Sequence, residues 1–90
     1  MEKKEQEKLQ KTYDNLKQKR NKIKGKLNMD KGEVKSAWND FEQDWQKVER
    51  EAKKFRGKGQ QVGREVARKF KSALETAESD MKSIEKNYVQ

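Results

Sequence analysis

The 90-residue sequence predicts an all-α protein, an antiparallel helical hairpin within a three-helix bundle with coiled-coil-like packing. Three observations carry this. Proline is absent, and Ala, Glu, Lys, Leu and Arg supply 44 of the residues, a bias that favours long helices. From Val34 to Phe55 the apolar residues alternate by four and three without a break, which is a seam of period 3.5. Two clusters of glycines divide the chain into three lengths, each long enough to span such a bundle.

The first helix is expected over residues 3–24. Leu9, Tyr13, Leu16, Ile23 and Leu27 are spaced 4, 3, 7 and 4, and Arg20 fills the heptad position in the gap of seven. Nothing apolar precedes Leu9, so the first turns gain little from packing. A break is expected over residues 25–32, GKLNMDKG, with Gly25 ending the first helix. Asp30 followed by Glu33 has the spacing of a capping box, and Leu27 and Met29 are placed to pack beneath the turn.

The second helix is expected over 31–56, with Val34, Trp38, Phe41, Trp45, Val48, Ala52 and Phe55 as its seam. Two Trp and two Phe on one stripe are either core or a base-stacking platform, and core is the reading preferred. Gly57-Lys58-Gly59 supplies the turn, because two glycines one residue apart make continued helix costly. The third helix is expected over 60–88, with Val62, Val66, Phe70, Ala73, Leu74, Ala77, Met81, Ile84 and Tyr88 within one arc. A hairpin folded at Lys58 sets Phe55 against Val62 and Trp45 near Phe70 and Ala73. Phe41 and Trp38 then oppose Ala73 and Ala77, large residues against small. The first helix should pack antiparallel to the second, all within one domain spanning residues 1–90. A two-helix hairpin that dimerises is the alternative arrangement.

Composition narrows function. Cys and His are both absent, which removes disulfides, thiol and imidazole chemistry and the usual zinc sites, so no cofactor is expected. Acids are plentiful but lie on mixed-charge faces; the Asp40 and Asp44 pair, one turn apart, lacks further ligands, and no enzyme is expected. No apolar run approaches membrane-spanning length, and MEKKEQEK has no signal-peptide core, so the expected location is the cytoplasm, without a membrane partner. Leu, Ile, Val and Phe are only 14 of the 90 residues, so the core is thin and self-association stays open.

Charge points to a partner. Charged residues make up 44% of the chain, its net charge is +8 and its pI is near 9.7. Around the second turn lie nine basic residues from Arg50 to Lys71, opposed only by Glu51 and Glu65. Lys53, Lys54, Arg56, Lys58, Arg64, Arg68, Lys69 and Lys71 are the expected contacts to a nucleic-acid phosphate backbone. DNA is the preferred partner, with RNA left open. Nothing resembles a recognition helix, so binding is expected to be independent of base sequence. Residues 17–26, KQKRNKIKGK, form a second run with six positive charges and no acid; a merely solvated face is the alternative for it. For the whole chain, the alternative is a helical-bundle interaction or scaffold module whose charge serves solubility.

Residues 55–69, FRGKGQQVGREVARK, resemble the helix–turn–helix core of bacterial histone H1-like proteins of the chlamydial type, a likeness that extends over about residues 55–85. That family carries Lys-Gly-Asn at the turn, small apolar residues four and five positions after the Lys, and Arg ten positions after it. Lys58, Gly59 and Gln60, then Val62 and Gly63, then Arg68 with Lys69 occupy those places, and Phe55 lies three before the Lys. Gln60 replaces the Asn, and the Lys/Ala-rich tail and the first helix have no matching counterpart. The resemblance implies association with DNA in the nucleoid.

Overall fold

The computed structural model describes residues 3–57 and 63–89, which form three helices: α1 (Lys3–Lys26), α2 (Gly32–Gly57) and α3 (Arg64–Tyr88). Side-chain contacts fix their directions. α1 runs antiparallel to α2, since Tyr13 meets Glu49 and Arg20 meets Glu42. α3 runs antiparallel to α2, with Phe55 against Phe70 at 4.9 Å between ring centroids and the Asp44 carboxyl beside that of Asp80. The result is a rod of 44 × 19 × 16 Å.

The seam residues form the core as their spacing predicts. Val34, Trp38, Phe41, Trp45, Val48, Ala52 and Phe55 are all buried, and both Trp side chains are at most 5% exposed. From α1 come Tyr13, Leu16, Ile23 and Leu27; from α3, Ala67, Phe70, Leu74, Ala77, Met81 and Ile84. Six aromatic rings make one continuous contact path from Trp38 through Phe41, Trp45, Tyr13 and Phe70 to Phe55. The Tyr13 and Trp45 rings are stacked, 5.9 Å apart and 10° from parallel. Buried in this way, the aromatics are core, and the base-stacking platform is excluded.

The helices are not equally close. The α2 and α3 backbones approach within 8 Å, as do those of α1 and α3, but among the described residues α1 and α2 nowhere do. Large side chains fill the wider gap. Arg20 is the most telling, because it lies where the α1 heptad calls for an apolar residue. Its guanidinium sits 5.6 Å from the Trp38 ring centre and 5.8 Å from that of Trp45, and it pairs with Glu42 at the edge of the interface.

Four expectations are corrected. α1 continues through Gly25 to Lys26; Gly25 has no left-handed backbone and stands in open space, so it does not end the helix. The capping box is not formed at the start of α2, which begins at Gly32. Instead Asn28 turns the chain, its Oδ1 accepting the Asp30 N–H at 3.1 Å, and its carbonyl accepting the Lys31 N–H at 3.2 Å. Leu27 and Met29 do pack under this turn. α3 starts at Arg64 rather than at residue 60, because Gly63 is extended (φ −72°, ψ 157°) and forms the N-cap. The hairpin register therefore moves. Phe55 faces Phe70, not Val62, a slide of about two helical turns along α3. Trp45, next to Asp44, lies level with Asp80 rather than with Phe70 and Ala73. The turn expected at Gly57-Lys58-Gly59 lies mostly outside the described residues, as do Lys58 and Val62.

Candidate nucleic-acid interface

The antiparallel hairpin brings the C-terminal end of α2 and the N-terminal end of α3 together, and with them seven of the eight expected contact residues. Lys53, Lys54, Arg56, Arg64, Arg68, Lys69 and Lys71 are all exposed at this end of the rod. Lys58, the eighth, lies outside the described residues.

These seven do not form one surface. Lys54 and Lys69 face each other across a groove of about 440 Å³ between α2 and α3, which Lys47 and Arg50 also line. Ser72, Ala73 and Thr76 keep the α3 wall low, and Asp44 and Glu51 lie on the α2 side. Lys54 is 3.7 Å from the half-buried Glu51, and Lys69 is 3.5 Å from Glu65, the latter a local pair on exposed helix surface that is readily exchanged for another anion. Lys71 opens instead onto the α1–α3 groove, beside Glu5, Glu75 and Glu78. Lys53, Arg64, Arg68 and Lys71 have no acid within 4.0 Å among the described residues.

Arg56 has a different task. Its guanidinium lies 4.8 Å over the Tyr13 ring, its Nε donates to Gln10 Oε1 at 3.3 Å, and it sits 3.9 Å from Asp14. It ties the end of α2 to α1. The same contact cluster acts on Tyr13, whose hydroxyl donates to Glu49 Oε1 at 2.7 Å. Burial, that hydrogen bond and the Glu49 charge push the phenol up to about 12, against the opposing pull of Arg56.

Sequence reasoning missed several cations here. Lys47 lines the groove through the register of α2 and α3, beside Arg50, which was already counted among the nine basic residues around the turn. Lys4, Lys8 and Lys11, exposed on the first turns of α1, join the end because α1 is antiparallel to α2. The expected helix order already placed the N-terminal turns beside the second turn, so that signal was available.

The middle of the rod is different. Four of its acids meet partners between helices: Glu42 with Arg20, Glu49 with Tyr13, and Asp44 with Asp80. The last pair spans α2 and α3; from sequence, Asp44 was grouped with Asp40 as surface charge. Burial first, then the hydrogen bond and charge of Asp44, raise the Asp80 carboxyl to about 6, so the two share a proton below that pH. Among the described residues no three acids converge as a metal-binding set, and no helix is long and apolar enough to cross a membrane.

Compared with protein-family models, curated proteins and solved structures, the chain finds no match.

Proposed function

We propose that this protein binds DNA through the phosphate backbone, without base preference, using the end of the rod where α2 gives way to α3. One observation carries the reading. Cations from all three helices gather at that end, and Lys53, Arg64 and Arg68 there have no acid partner among the described residues, whereas the mid-rod acids Glu42 and Glu49 are engaged by Arg20 and Tyr13. An unpaired surface cation costs nothing to redirect onto a phosphate, and each contact releases a condensed counterion. The groove cations Lys47, Arg50, Lys54 and Lys69 add a concave track beside them. The six buried rings are not free for base stacking, and the half-buried Tyr88 belongs to the last turn of α3, at the other end of the rod, which is consistent with backbone contact at this end. The histone H1-like resemblance points the same way and implies a cytoplasmic, nucleoid-associated role.

The test is a salt titration of duplex binding followed by fluorescence anisotropy. With about five phosphates neutralised, log Kd against log salt should have a slope of magnitude about 4–5. Replacing Lys53, Arg64 and Arg68 together by Gln should lower that magnitude by about 3 and leave helicity unchanged, since all three are exposed. Unrelated duplexes should bind alike. An unchanged slope in the folded triple variant removes this end as the interface, and a parent that binds no duplex at low salt leaves the scaffold reading in its place.

A further inference from the structure

We propose that the far end of the rod is a second anion-binding surface, and that the protein holds two DNA duplexes at once, one at each end. This rests on the reading above for the first end and adds a second site at the C-terminal end of α1.

The far-end cations are as free as those at the tip. Lys22, Lys24 and Lys26 are exposed and have no acid within 4.0 Å among the described residues. Two members of the same run behave differently: Lys19 lies 3.7 Å from Glu85, and Arg20 turns inward to Glu42 and the two Trp rings. The fold has thus sorted the run. Its structural members are paired, and its remaining lysines face solvent with no bundle task.

Geometry separates the two ends. The rod is 44 Å long, and α1 alone, with 24 residues, covers roughly 36 Å at 1.5 Å per residue. That is several Debye lengths at physiological salt, so neither end screens or saturates the other. A duplex is stiff over about 150 base pairs, so one crossing the tip cannot fold back to reach the far end. Lying along the α2–α3 side of the rod would bring it past the middle, where Asp44, Glu75, Glu78 and Asp80 outnumber Lys47 and Lys82. The free lysines of the far end belong to α1, whose first turns also carry Lys4, Lys8 and Lys11, whereas Arg64 and Arg68 belong to α3, so a duplex laid along α1 alone does not draw on both sets of free cations. Two duplexes satisfy both surfaces.

The experiment mixes donor-labelled and acceptor-labelled short duplexes with the intact protein and reads energy transfer, alongside single-duplex anisotropy and light scattering. The parent should produce transfer that rises and then falls as protein exceeds duplex, while scattering reports a monomer. The Lys22/Lys24/Lys26→Gln variant should keep single-duplex Kd within about twofold and an unchanged salt slope, and lose transfer at least tenfold; Gln keeps helix propensity at these exposed positions. A parent that binds single duplexes and gives no transfer overturns the second site while sparing the first. Transfer that survives in the variant assigns bridging to self-association and overturns it as well. A variant whose single-duplex slope falls with its transfer shows one duplex lying along the rod, which also overturns it. Absence of any duplex binding by the parent is a separate result, and removes the proposed function itself.

Discussion

Arg20 is a cation in a core position, and its replacement separates packing from charge. The side chain is 19% exposed, its guanidinium lies under 6 Å from two buried Trp rings, and its Glu42 partner is 28% exposed. Each cation–π contact at such a site is worth about 0.5–1 kcal/mol, and an ion pair this near solvent adds up to about 1 kcal/mol. The aliphatic stem covers ring surface that Ala would leave open. Arg20→Ala should therefore cost about 2–3 kcal/mol. Against these gains, Arg20 Nε is buried without a hydrogen-bond partner, a penalty that the parent already carries. Arg20→Met removes that penalty and keeps the stem, and the 28% exposed Glu42 stays hydrated, so the variant should fall within about 1 kcal/mol of the parent. Urea unfolding followed by circular dichroism at 222 nm measures both, with equal m-values as the check on two-state behaviour. If Arg20→Ala costs less than about 0.5 kcal/mol, Arg20 does not wedge α1 against α2. If Met is as damaging as Ala, the charge and not the stem holds the interface.

Three further outcomes are expected. Trp45→Ala should cost about 3–5 kcal/mol, since its ring is 5% exposed and stacked on Tyr13, and urea midpoints will show it. Gly25→Ala should raise stability by about 0.5–1 kcal/mol, because Gly25 lies inside α1 and a Cβ there meets nothing within 4 Å; a loss on thermal melting would mean the helix is interrupted there. Because the folded Asp80 carboxyl is raised from 3.8 to about 6, its contribution is full below about pH 4 and is lost as pH rises through 6. Asp80→Asn should thus gain on the parent between pH 5 and 7, and a constant difference across that range would refute the shared proton.

The three-helix architecture was legible because the Val34–Phe55 seam admits only one periodicity, and the seam residues are the buried ones. What the spacing did not determine was where the second turn closes. Gly57, Gly59 and Gly63 offer competing breaks, and the choice of Gly63 as N-cap slides α3 by about two turns. A slide of whole turns keeps the same residues buried and changes only their partners. That is why the core was found while the Asp44–Asp80 pair was not. The same holds for the candidate interface. Exposed cations near a turn follow from pattern, but Arg56 became a tie to α1 through the position of Tyr13, a long-range contact that no local spacing encodes.

The uneven spacing of the helices bears on how the fold opens. α2 and α3 meet backbone to backbone, whereas rings and a guanidinium stand between α1 and α2. A close contact loses its attraction over a fraction of an ångström, and packed small residues such as Ala52, Ala67 and Ala77 give way together. Long side chains can instead swing with their helix and hydrate one at a time. The molecule therefore divides into two cooperative units of unequal strength. Amide protons of α1 should exchange through an undocked form in which its contact with α3 is also released while α2 and α3 stay paired, and those of the α2–α3 interface should wait for global unfolding.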